Sequence, residues 1–265
     1  MADAINLDAY LARIGWQGEK APTYKTLASV LAAHTAHIPF ENLDVLLGRA
    51  IQLDISGLQS KLVEARRGGY CFEHASLMAA ALEALGFEVA RHTARVVLFM
   101  SAKEAPRSHM FLTVAADGGR FVVDPGFGPF TARSPVPMDG TATPEGQRMT
   151  RDGDVWVRHG RRRGAEFNGW VSAMQDDNLV DFEMANYFTS THPNSLFRQL
   201  IMASSVTPAG RVSVMNRDVT WTSGGAETET QLADRRELRA LLAEHFGFDL
   251  PEAERLRVPA VPGWD

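Results

Sequence analysis

Around Val89 the spacing of apolar residues changes, from every third or fourth position upstream to runs of β-branched and aromatic residues downstream. A chain with this change builds helices first and a sheet after them. Upstream, Leu7, Tyr10, Leu11 and Ile14 share a helical face behind Asn6 as N-cap, with Gly15 as the stop. Leu27, Val30, Leu31 and His34 repeat the spacing, and Asp54 is placed to cap a helix that buries Ile55, Leu58, Leu62 and Val63. A further stripe of Leu77, Ala81, Leu82 and Leu85 ends at Gly86.

Downstream, Thr93 to Phe99, Met110 to Val114, Phe121 to Val123 and Val155 to Val157 read as strands of an antiparallel sheet or barrel. Asp117-Gly118-Gly119 and Asp152-Gly153 supply hairpin turns, and the Pro-rich stretch from Pro129 to Pro144 reads as loop. Asp181 begins another helical stretch. Val212 to Trp221, broken at Asn216-Arg217-Asp218, reads as a late hairpin. Asp234 with Glu237 starts a last helix carrying Leu238, Leu241, Leu242 and His245, which Gly247 ends. There is no internal repeat and no low-complexity tract.

With 265 residues, 45% of them hydrophobic, the chain can bury a sizeable core as one large domain or two to three small packed ones. A formal charge of −5 and an isoelectric point near 5.9 leave no basic surplus for a phosphate backbone, so nucleic acid is not an expected partner. The run Arg161-Arg162-Arg163 reads as a solvated loop. Met1 to Gly15 lacks the basic start and apolar block of a signal peptide, and apolar stretches such as Val96 to Met100 fall far short of the ~20 residues of a membrane span. The expected setting is cytoplasmic, with no membrane partner.

A single cysteine, Cys71, cannot close an internal disulfide, which directs attention to the thiol itself. Gly68-Gly69 turn the chain immediately before it and a helix starts at or just after it. Helix N-terminal amides carry partial positive charge, which favours the thiolate, the nucleophilic form. Buried inert cysteines are common, so position alone does not decide. A base with an orienting group behind it is offered by the hairpin from His109 to Asp124. A turn centred on Gly118-Gly119 sets Asp124 opposite Thr113; one centred on Asp117-Gly118 sets it opposite Phe111 and makes His109 its diagonal neighbour. Either way the two share a sheet face, whereas a three-residue loop would part them.

His74, three residues after Cys71 on the same helix, is the rival base but has no evident carboxylate behind it. His34, His37, Cys71 and His74 can be drawn as a zinc site but lack the usual paired ligand spacing, so no metal is expected. Taken separately, His109 as a strand histidine bonded to backbone and Asp124 as a turn-entry residue are the simpler readings.

The chain resembles the arylamine N-acetyltransferase family. The resemblance rests on Tyr10-Leu11-Ala12-Arg13-Ile14-Gly15, His37-Ile38-Pro39-Phe40-Glu41-Asn42-Leu43, Arg67-Gly68-Gly69-Tyr70-Cys71, His109, Val123-Asp124-Pro125-Gly126-Phe127-Gly128, and Asp181-Phe182-Glu183 onward to Phe197. These landmarks span about residues 10 to 200; the final 60 residues match only in general character. The resemblance implies Cys71 as acyl acceptor, His109 as acid and base, Asp124 as the group that orients His109, and Phe40, Phe127 and Phe197 as lining of the acceptor pocket. It implies a structural ion pair between Arg67 and Glu41. Pro125 stands where many relatives carry another small residue, which leaves the loop's shape open.

The implied fold is α+β and multi-domain: an N-terminal helical bundle (1–88) with the nucleophile, a central antiparallel β-barrel (89–196) with base and acid, and a C-terminal α/β lid (197–265), around a cysteine-protease-like triad. The implied reaction carries acetyl from acetyl-CoA, the acyl-donor substrate, through an acetyl-cysteine to the nitrogen of an aromatic amine or hydrazine. A cysteine hydrolase or transglutaminase-like enzyme uses the same triad, and a macrolactam-forming amide synthase resembles the family too. A non-catalytic binding module is disfavoured because all three triad positions are filled.

Overall fold

The computed structural model describes residues 4–175 and 177–264. The helices are α1 (Leu7–Arg13), α2 (Tyr24–His37), α3 (Leu43–Leu46), α4 (Ile55–Leu58), α5 (Cys71–Ala84), α6 (Leu179–Thr191), α7 (Leu196–Gln199) and α8 (Arg235–Leu241). The strands are β1 (Phe40–Glu41), β2 (Glu88–Val96), β3 (His109–Ala116), β4 (Gly119–Val123), β5 (Val136–Pro137), β6 (Arg148–Asp152), β7 (Val155–Arg162), β8 (Ala165–Ser172), β9 (Met202–Thr207), β10 (Gly210–Met215), β11 (Asp218–Ser223) and β12 (Ala226–Gln231).

The caps are those the sequence offers. Asn6 accepts from the Ala9 amide at 3.1 Å, Asp54 from Gly57 at 2.9 Å, and Asp234 from Arg236 and Glu237. Each satisfies amides that a helix start leaves unpaired. Two helices run on into widened turns, α4 through Gln59–Glu64 and α8 through Leu242–Phe246, and Gly247 stops the latter at φ +78°.

Seven antiparallel strands follow the order β5-β4-β3-β2-β8-β7-β6, and β5 approaches β6, nearly closing a barrel. The second sheet, β1-β9-β10-β11-β12, belongs to the C-terminal part except for β1, which the N-terminal region lends to it by pairing Phe40 with Ser204. The fold is α+β: N-terminal helices, a near-closed barrel and a C-terminal sheet. Leu27, Leu31, Phe72 and Leu82 pack with Leu112 and Val114 in one core; Phe111, Val122, Met149 and Trp170 fill the barrel; Val212, Leu238 and Leu256 lie beneath the C-terminal sheet.

The first barrel strand starts and ends earlier than the run Thr93 to Phe99 suggests, at Glu88 and Val96. The stretch Pro129 to Pro144 contains β5, at the end of the strand order, where the missing amide of Pro137 is tolerated. Ile55 is only half-buried. Arg162 and Arg163 stay exposed but pair with Glu227 on β12 at 3.1 and 2.8 Å. Among the described residues no helix is long and apolar enough to cross a membrane.

Candidate active site

Cys71 is the first residue of α5, and its position is fixed from the segment before it. Gly69 donates to Pro39 O at 3.2 Å and accepts from Glu41 N at 2.8 Å, so the Gly68-Gly69 turn lies flat against 39–41. A side chain on Gly68 would come within 2.2 Å of Pro39 O. Beneath the turn, Arg67 meets Glu41 at 2.6 Å and Asp44 at 3.3 Å, while Lys61 meets Asp44 and Glu73, each at 2.8 Å. Glu73 also accepts from Tyr70 N at 3.0 Å, holding the helix start. The expected Arg67–Glu41 pair is thus part of a buried network.

His109 and Asp124 come from the barrel. Ala116 pairs with Gly119, so Asp117 and Gly118, at φ +48° and +78°, form the two-residue turn. Leu112 pairs with Val123, which carries Asp124 opposite Phe111 and diagonal to His109. The realised turn is therefore the Asp117-Gly118 alternative. His109 Nε2 lies 3.0 Å from Asp124 Oδ1, with both side chains buried. The Cys71 Sγ lies 3.7 Å from Ser108 O, in the residue before His109, and the thiol is close enough to the same ring to favour its protonated form.

Burial works against a charged imidazole, but the Asp124 carboxylate and Cys71 outweigh it and push His109 up to about 9. For Asp124, burial opposes the carboxylate, yet His109, Arg158 and the Trp170 indole hold its pKa below the ordinary value. Trp170 Nε1 donates to Asp124 Oδ2 at 2.9 Å.

A histidine in the unfolded chain titrates near ~6.5, so the folded protein binds the His109 proton more tightly and gains stability from it. That gain is whole below about pH 6.5 and disappears as the pH rises through about 9. The melting temperature lost in His109→Gln should therefore be largest below about pH 6.5 and shrink toward about pH 9. Thermal melts of both proteins across this range check it; a loss that grows with pH contradicts it.

His74 is committed elsewhere. Its Nε2 faces Pro39 O at 3.2 Å, its Nδ1 faces His34 Nε2 at 2.8 Å, and His34 Nδ1 meets Tyr10 Oη at 2.9 Å. Pro39 O can only accept, so each ring carries one proton in this chain and has no free lone pair for Cys71. Burial holds His74 down to about 4. Among the described residues no group of three or more His, Cys, Asp or Glu side chains is arranged to hold a metal.

Phe127 lies 5.0 Å from the His109 ring, centroid to centroid, on the loop that follows Asp124. Phe40 stacks 6.5 Å from His74, and Phe197 lies 6.3 Å from Phe40 and 5.3 Å from Tyr70. Gly126 is the close approach: a Cβ there would sit 2.6 Å from Cys71 Cα and 3.1 Å from His74 Cβ.

Sequence reasoning missed Trp170 and Arg158, both fully buried beside Asp124. A tryptophan on a strand reads as core, and an arginine among Val155-Trp156-Val157-Arg158-His159 reads as the outward side of a strand. Neither carried a signal of its own.

A buried imidazole with a thiol on one side and a carboxylate on the other can shuttle a proton for a sulfur nucleophile. A family model described as N-acetyltransferase matches residues 23–255. The arylamine N-acetyltransferase of Mycolicibacterium smegmatis is 37% identical over 257 residues, covering 93% of each chain. The solved structure of the arylamine N-acetyltransferase from M. tuberculosis superposes with a TM-score of 0.89 at 34% identity, covering 94% of each chain. That of Mycobacterium marinum arylamine N-acetyltransferase in complex with CoA also scores 0.89, at 32% identity and 94% coverage of each.

Proposed function

Because the chain belongs to the arylamine N-acetyltransferase family, we propose that it carries an acetyl group from acetyl-CoA on Cys71 and delivers it to the nitrogen of an arylamine or arylhydrazine. The observation that carries the reading is the Cys71, His109 and Asp124 arrangement: a helix-start thiol beside an imidazole whose far nitrogen is 3.0 Å from a buried carboxylate.

In this reading His109 takes the thiol proton through the ring nitrogen left free by Asp124. The Cys71 thiolate attacks the thioester carbonyl, the C–S bond to CoA breaks as His109 hands its proton to the leaving CoA thiolate, and acetyl-cysteine remains with a neutral His109. The neutral amine attacks that carbonyl, His109 accepts the amine proton, and the amide leaves as the thiolate returns. Arylamines suit this chemistry because they are unprotonated near pH 7, and Phe40, Phe127 and Phe197 supply an aromatic lining. The nucleophile comes from the helical part (1–88), base and acid from the barrel part (89–196), and Phe197 from the third part (197–265). A cytoplasmic setting, which keeps a lone thiol reduced, belongs to the same reading.

Acetyl-CoA without an acceptor should add the mass of one acetyl group to the intact protein and block alkylation of Cys71 by iodoacetamide. An arylamine should then remove the adduct as amide, and initial rates should give parallel, ping-pong lines. An unmodified mass with intersecting lines would mean direct transfer, and release of free acetate in place of amide would mean a hydrolase.

A further inference from the structure

Arg158, in the middle of β7, has a fully buried side chain, and its guanidinium reaches both ends of the loop that starts at Asp124. Its Nε lies 3.8 Å from Asp124 Oδ2, its Nη2 donates to Phe130 O at 2.6 Å, and its Cζ sits 4.8 Å from the centre of the Phe127 ring. Nε and Nη1 have no hydrogen-bond partner among the described residues. A buried guanidinium with two of its three nitrogens unpaired is a poor source of stability in itself. Its geometry serves the loop instead.

The far side of the loop is held from the other sheet. Arg211 on β10 donates through Nη1 to Gly128 O and through Nη2 to Thr131 O, each at 3.2 Å. Between these grips Gly126 lies against Cys71, so the loop has no slack toward the helix. Two arginines from two sheets thus set a segment of eight residues (124–131) that carries the acid at one end and an aromatic wall behind it.

We propose that Arg158 and Arg211 are positioning residues: Arg158 orients Asp124 and the Phe127 ring together, and Arg211, from the C-terminal sheet, sets only the Phe127 side. This rests on the acetyltransferase reading for its second half, acceptor selectivity. The first half concerns Cys71 reactivity and does not need it.

The test uses Arg158→Met, Arg158→Lys and Arg211→Met in the full chain. It reads the iodoacetamide rate at Cys71, the ratio of kcat/KM for an unsubstituted against a broad para-substituted aniline, and the melting temperature. Arg211→Met should leave alkylation within about twofold of wild type and change the aniline ratio about fivefold or more. Arg158→Met should slow alkylation about tenfold and change the ratio as well. Arg158→Lys, which restores charge but not the flat face over Phe127, should recover alkylation and not the ratio.

Wild-type alkylation in Arg158→Met, or equal loss on both anilines in every variant alongside a fall in melting temperature, overturns the proposal. If Arg158→Met does not fold, Arg158→Lys and Arg211→Met decide it. If the wild type acetylates no aniline, the functional reading fails while the alkylation rates still judge Arg158.

Discussion

Asp124→Asn should slow acylation of Cys71 by acetyl-CoA roughly a thousand- to ten-thousandfold in a protein that still folds, with a melting temperature lowered by the lost pairing with His109. Asp124 accepts two hydrogen bonds at once, from His109 Nε2 at 3.0 Å and from Trp170 Nε1 at 2.9 Å. A carboxylate can serve both because each oxygen accepts; an amide of the same size has one oxygen and one NH2. The indole only donates, so the asparagine oxygen must turn to Trp170 and its NH2 to His109. His109 then has to accept at Nε2 and carry its proton at Nδ1, the side where the Cys71 proton must be received.

The charge is lost as well. The carboxylate is the main influence that keeps His109 at about 9 against the opposing effect of burial, so the imidazolium that accompanies a thiolate loses its support. Single-turnover acylation followed by intact mass, with thermal melting as control, measures both effects. Acylation within tenfold of wild type in a folded Asp124→Asn protein would remove Asp124 from the proposed mechanism.

The positions of His109 and Asp124 were open to sequence reasoning because a hairpin is local: once the turn is two residues long, parity settles which side chains share a face. Asp117-Gly118 adopts that turn through two positive φ values, and the diagonal pair follows from counting. Arg158 and Trp170 reach Asp124 from 34 and 46 residues further along the chain, by the curvature that brings β7 and β8 round the barrel. No spacing rule carries that information. The same contrast runs through the sheets. β10 and β11 flank a recognisable turn at Asn216, φ +57°, whereas β9 (Met-Ala-Ser-Ser-Val-Thr) and β12 (Ala-Glu-Thr-Glu-Thr-Gln) have small or polar side chains and no apolar alternation. Their neighbours make them strands. His74 shows the reverse error that local reasoning invites. Three residues from Cys71 on one helix, it looks available, yet its two nitrogens are engaged by His34 and Pro39.

Gly126→Ala should cut acylation of Cys71 by about a hundredfold or more and cost about 1–3 kcal/mol of stability. The backbone at Gly126 does not need glycine for its own conformation, since its φ is not among the positive ones. What it needs is space. The added Cβ would stand 2.6 Å from Cys71 Cα, 3.1 Å from His74 Cβ and 3.3 Å from Cys71 N, against a comfortable carbon–carbon separation of about 3.5–4.0 Å, and the nearest of these atoms is backbone. The first turn of helix α5, Cys71 to Ala75, is buried throughout, so the loop must give way, and it carries Asp124 two residues before and Phe127 one residue after the substituted position. Displacement of the order of 1 Å at reacting groups is enough for losses of this size.

Gly153→Ala is the matching control. It sits at φ +58° in the β6–β7 turn with nothing within 4 Å of the new Cβ, so it too should cost about 1–3 kcal/mol, through backbone strain, but far from Cys71. Acylation should then fall in Gly126→Ala and stay at the wild-type rate in Gly153→Ala at similar melting temperatures. Equal acylation in the two variants would show that the contact between Gly126 and Cys71 does not hold the loop in register with the thiol.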